Sequence, residues 1–100
     1  MNKFFTFAFA LVLCGSAIAA GNPKNGESLY KKCASCHGGN GQGNKSQEAP
    51  RIAGQHEWYL VSTVVDMQTG KRSNPKMIPF IKNLTKQEIE DLASYITTLE

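Results

Sequence analysis

One hundred residues support one small domain, because a core divided at this length leaves neither half enough buried surface to stand alone. Eleven Lys and Arg against eight Asp and Glu give a formal charge of only +3. The basic residues are spread from Lys3 to Lys86 with no aromatic platform interleaved, which argues against nucleic-acid binding, and no triad or paired carboxylates suggest hydrolytic chemistry.

Met1-Asn2-Lys3 is a short basic start and Phe4 to Leu13 an unbroken apolar run, long enough for export and too short to span a bilayer. Ala17-Ile18-Ala19 supplies the small-x-small pattern of a processing site. Residues 1–19 are therefore expected to be a cleaved signal peptide, and residues 20–100 the exported domain, placed in the periplasm; a start at Gly21 is the neighbouring option. Cys14 raises the alternative of a lipoprotein, which the bulky Leu13 before it disfavours. Losing Lys3 with the leader would leave ten basic against eight acidic side chains, enough for modest steering of protein partners.

The rest predicts helix, loop, helix, loop, helix. Asn22-Pro23 opens the first helix, with Asn as N-cap and Pro where its missing N–H costs nothing. Its end falls near Cys33 or Cys36. Gly26 lies one turn before Tyr30, and a glycine inside a helix implies that another helix crosses closely there. Gly38 to Lys45 is too polar and glycine-rich to pack, and its position favours a loop wrapping a cofactor edge.

Glu57 to Thr69 contains the β-branched run Val61 to Val65, which by propensity suits a strand. Periodicity decides for helix: Leu60, Val64 and Met67 share a stripe with Trp58 and Val61 beside it, and Gly70 stands where a C-terminal cap belongs. Asn74 to Asn83 is a loop. Thr85 and Glu88 form a capping box for the last helix, whose apolar stripe is Ile89, Leu92, Ala93, Ile96 and Leu99. Tyr95 borders that stripe and is placed to meet Gly26 and Tyr30.

Cys33-Ala34-Ser35-Cys36-His37 is the most specific pattern in the chain. Two thiols at this spacing can add across the two vinyl groups of haem, and the adjacent imidazole then supplies the iron's proximal ligand. A zinc site would need two more Cys or His, and His56 alone remains. A redox dithiol belongs after a strand in a βαβ unit, which is missing here. A plain disulfide leaves His37 and the glycine loop without a role.

The stretches GNPKNGESLYKKCASCHGGNGQG, APRIAGQHEWYL and MIPFIKNLTKQEIEDLASYITTL resemble the class I c-type cytochromes, and within them the monohaem cytochrome c4/c553 group. The resemblance spans nearly all of residues 20–100. It implies an all-α fold of three main helices around one covalently bound haem c, an iron held by His and Met, and one-electron transfer between redox partners, not enzymatic turnover. It also makes Pro50 the proline that accompanies the iron-bound His37.

The sixth ligand lies between Met67, on an apolar helical stripe where methionine is usually a core filler, and Met77, in a loop beside Pro79. The family pattern sets the ligand eight residues before the Thr85 cap, at Met77. His56 reads as an exposed helix-start residue. Arg51, Trp58 and Tyr59 carry donors for haem propionates, with packing the preferred role of Trp58 and Tyr59. Lys71, Arg72, Lys76 and Lys82 flank the ligand loop and would steer an acidic partner. The free domain is expected as a monomer or weak dimer. The alternatives are a haem subunit of a periplasmic oxidoreductase and, less favoured, a gas-binding sensor.

Overall fold

A computed structural model describes residues 21–100; the expected leader at 1–19, its processing site and Cys14 lie outside the described residues. Helix α1 runs Pro23–His37, α2 Glu57–Thr69, α3 Ile78–Ile81 and α4 Lys86–Ile96, with a 3₁₀ turn at Lys45–Gln47. Among the described residues the only β pairing is one isolated bridge between Asn44 and Ala49. The expected all-α architecture of three main helices is what forms.

The Asn22 side chain accepts from the backbone N–H groups of Lys24 and Asn25, satisfying two donors that a helix start leaves open. The helix continues through the whole Cys33–His37 motif and stops at Gly38, whose φ of 89° is easy only for glycine. Tyr30 donates its hydroxyl to the Gly38 carbonyl, fastening that end.

Helix α4 crosses α1 at Gly26. A Cβ built there would lie 2.0 Å from the Asp91 carbonyl oxygen and 2.8 Å from Tyr95 Cβ, so only a hydrogen fits. The Tyr30 and Tyr95 rings meet beside the crossing at 5.5 Å, tilted by 50°. Thr85 and Glu88 make both bonds of the capping box, and Ile89, Leu92, Ala93 and Ile96 are buried as the stripe predicts. Tyr30, Leu60, Leu92, Ala93 and Ile96 form one core cluster, with Leu99 packed at its edge after the helix has ended.

Sequence reasoning missed Asp91, a carboxylate only 5% exposed. Its Oδ1 accepts from the Asn22 backbone N–H and from Gln87 Nε2, and its Oδ2 from Asn25 Nδ2. These bonds hold the carboxyl below the ordinary aspartate range, the Asn22 bond contributing most. A polar residue on the last helix thus fixes the start of the first.

Helix α2 forms despite its β-branched run because Leu60 and Met67 are buried on one side, and Gly70 caps it at φ 80°. The segment 74–83, expected as loop, contains the single turn α3. Asn74 starts it by accepting the Met77 N–H through both its carbonyl and its side chain. Pro79 is tolerated in that first turn. Four residues are too few for a helical period to show in sequence.

Candidate functional site

The end of α1, the turn 49–52, the inner faces of α2 and α4, and the segment 74–81 enclose a cavity of about 360 Å³. Cys33, Cys36 and His37 all stand on its wall, as do Met67 and Met77. Positions i, i+3 and i+4 share one side of a helix, which is why the motif presents both thiols and the imidazole together.

His37 is 7% exposed, and its Nδ1 lies 2.8 Å from the Pro50 carbonyl oxygen. A backbone carbonyl only accepts, so Nδ1 donates to it, and in the neutral ring Nε2 is the nitrogen that keeps a lone pair. An imidazole fixed through one nitrogen and bare at the other is the arrangement a metal-ligating histidine requires. Pro50 thus fills the place implied for it.

The glycine loop acts differently from the expectation. None of residues 38–46 lines the cavity; the loop packs instead on the backbone that carries Pro50. A Cβ on Gly43 would fall 2.6 Å from Arg51 N, and the Gly41 carbonyl accepts from both Ile52 and Ala53 N–H. The absent side chains admit a neighbouring strand of protein, not a cofactor edge. The loop therefore buttresses the turn whose carbonyl orients His37.

Burial pushes the Cys33 thiol up to about 11, with Lys32 opposing and Cys36 adding to the rise. An attacking redox thiol is shifted the other way, so burial here works against the dithiol alternative. Cys33 and Cys36 are not joined in a disulfide, and among the described residues no group of three or more His, Cys, Asp or Glu is arranged to hold a metal ion. The zinc reading lacks its further ligands.

The wall is otherwise largely apolar, with Leu60, Val64, Ile81 and Leu92 prominent, while Arg51, Arg72 and Lys76 reach it as cations. Two thiols, one bare imidazole nitrogen, thioether sulfur, an apolar lining and cationic side chains suit a haem with two anionic propionates. The residues fit the group. Tyr59 and Arg51 lie on the wall, but Trp58 does not: it is 69% exposed and stacks on His56 at 5.9 Å. Its position beside the α2 stripe suggested packing; the helix turns it outward. Of the four expected steering cations, Arg72 and Lys76 reach the cavity, while Lys71 and Lys82 are exposed outside it. Gln68 was also missed; its Nε2 donates to the carbonyls of Ile81 and Leu84, tying α2 to the segment after Met77.

Residues 23–100 match the family model for cytochrome c. The chain belongs to the cytochrome c family. Cytochrome c4 of Pseudomonas aeruginosa is 34% identical over 99 residues, covering 98% of this chain and 49% of that protein. The cytochrome subunit of sulfide dehydrogenase from Chlorobaculum tepidum is 35% identical over 74 residues, 74% of this chain and 66% of that one. The solved structure of reduced cytochrome c4 from Pseudomonas stutzeri superposes with a TM-score of 0.72 at 32% identity, over 78% of this chain and 48% of that one. The chain spans about half the length of the cytochrome c4 relatives it matches. It has the class I cytochrome c fold, its cofactor is covalently bound haem c, and its family role is electron transport.

Proposed function

We propose that residues 20–100 form an exported, periplasmic one-electron carrier, released from the signal peptide 1–19, in which Cys33 and Cys36 anchor the haem and His37 and Met77 ligate its iron. Bound haem supplies an iron that alternates between ferrous and ferric states. The observation that carries the reading is His37: a buried imidazole on the cavity wall, proton-fixed by Pro50 and bare at Nε2. Thioether bonds from Cys33 and Cys36 would keep the group on the chain in both oxidation states. A thioether from Met77 favours the ferrous state, and the apolar lining opposes the extra positive charge of the ferric state in the same direction. With His37 and Met77 as its two protein ligands, the iron would have no coordination position left for a substrate.

Met67 also lies on the cavity wall, so the choice between the two methionines rests on their supports. Met67 is buried within α2 and 7% exposed, a packed residue of a regular helix. Met77 sits at the start of α3, its N–H held by Asn74, in a short element that can approach the cofactor without dragging a long helix.

The test is spectroscopic. Ferric protein should show the weak long-wavelength sulfur-to-iron band, and ferrous protein should resist carbon monoxide. Met77→Ala should abolish the band and open the iron, whereas Met67→Ala should retain it. Ready carbon monoxide binding by the wild type, or a band surviving in Met77→Ala, refutes the assignment. The likeness to a sulfide dehydrogenase cytochrome subunit supports a second reading, a haem subunit of an oxidoreductase. Copurification with a catalytic partner from the native source would favour it over the free carrier.

A further inference from the structure

Lys76 immediately precedes Met77, and its side chain, although exposed, has partners. Its ammonium donates to the Gln47 carbonyl at 3.3 Å and lies 3.7 Å from the Glu48 carboxylate. Gln47, Glu48, Lys76 and Met77 all line the cavity, so the link runs between its walls at the rim, joining positions 29 residues apart in sequence. The far anchor is itself fixed. Lys45–Gln47 is a 3₁₀ turn capped by Asn44, and Glu48 closes it with φ 55°, the one left-handed residue other than glycine among the described residues. That conformation aims the Gln47 carbonyl and the Glu48 side chain at the same lysine.

We infer that Lys76 is a positioning residue that clasps the Met77 segment to the 45–48 turn and so keeps the methionine at the cavity wall where it would ligate the iron. The inference rests on the proposed Met77 ligation. Other holds on this segment come from behind it: Asn74 on the Met77 N–H, and Gln68 on the Ile81 and Leu84 carbonyls. The Gln68 bonds tie the segment to α2, on one side of the cavity, while the Asn74 bonds act within the segment itself. The Lys76 clasp ties it across to the turn adjoining Pro50, on the other. Because both partners are exposed, the clasp contributes little to global stability. Its effect falls on local opening, the small excursion that separates sulfur from iron.

The experiment uses ferric holoprotein and imidazole as the competing ligand. Lys76→Gln should raise the apparent imidazole affinity about 2–5-fold, the range expected for losing one exposed charged link. Lys76→Arg, which keeps the donors, should stay near wild type. Lys82→Gln removes an equal charge near the same segment but outside the cavity wall, and should leave the affinity unchanged. Equal increases in Lys76→Gln and Lys82→Gln would show a general charge effect and overturn the clasp, as would no increase in Lys76→Gln. The Met77 assignment is read separately, in the wild-type sulfur-to-iron band: a wild type without the band refutes the ligation, whereas a band with no Lys76 effect refutes only the clasp.

Discussion

Replacing Gly26 with alanine sets two calculable effects against each other. Alanine in a helix interior is favoured over glycine by about 1 kcal/mol, so propensity alone predicts a more stable protein. Packing opposes it, because the new Cβ would lie 2.0 Å from the Asp91 carbonyl oxygen and 2.7 Å from its carbonyl carbon, where ordinary contact begins near 3.4 Å. Neither atom belongs to a side chain that can rotate away. The helices must separate by about 1 Å or more, loosening the Tyr30–Tyr95 contact and the core cluster beneath it. Overpacking of this kind costs about 1–3 kcal/mol, and with backbone as the obstacle the upper end applies, leaving a net loss of about 2 kcal/mol. Gly70→Ala is the control: nothing lies within 4 Å of its Cβ, so only the strain of φ 80° remains, about 1 kcal/mol. Denaturant unfolding of the holoprotein measures both. A Gly26→Ala protein as stable as wild type would refute the close crossing as the reason for glycine.

Other expectations follow from the same geometry. Cys33→Ala and Cys36→Ala should each leave at most a single thioether; haem staining after denaturing electrophoresis reads this, and release of haem from wild type by acid acetone would exclude covalent attachment. Met67→Ala should lower stability by about 2–5 kcal/mol while the sulfur-to-iron band persists, as for a truncated core residue. Asp91→Asn should lose at least one charged hydrogen bond, about 1.5–3 kcal/mol near neutral pH. Since its folded pKa is depressed, the Asp91 contribution is complete above the ordinary aspartate value and is lost as pH falls through the folded one. Acid titration of stability below about pH 4 should therefore be shallower in Asp91→Asn than in wild type.

What could be read in advance was whatever has a local grammar. The Asn22-Pro23 start, the Thr85–Glu88 capping box and the Cys33–His37 spacing each state their geometry within a few residues. Gly26 was legible because a costly residue in a helix implies a reason. The glycine loop was misread because its composition says that backbone must come close to something, without saying what; the neighbour proved to be the Pro50–Ala53 backbone. Trp58 was misplaced because α2 has a weak apolar stripe, and a residue bordering such a stripe turns inward or outward by a fraction of a turn. Asp91 and Gln68 left no signal at all. A polar side chain on a helix looks solvated until the partner it reaches, 69 residues away for Asn22 and 13 for Ile81, is brought beside it by the fold.

The two sides of the cavity are built with unequal rigidity. On the His37 side a fifteen-residue helix ends in the motif, Tyr30 fastens its last turn, and the glycine loop backs the Pro50 carbonyl that fixes the ring. On the Met77 side a four-residue helix hangs from Asn74, Gln68 and Lys76. Strain or thermal motion should therefore open the site from the methionine side first, because fewer backbone bonds hold it. An electron carrier benefits from the opposite condition in service: both ligands unmoved between oxidation states, so that little reorganises with each transfer. On the proposed Met77 ligation, the three polar side chains that hold the weaker wall would bear on the redox chemistry more than their small share of global stability suggests, although only Lys76 could be singled out from sequence, and then only as a surface charge.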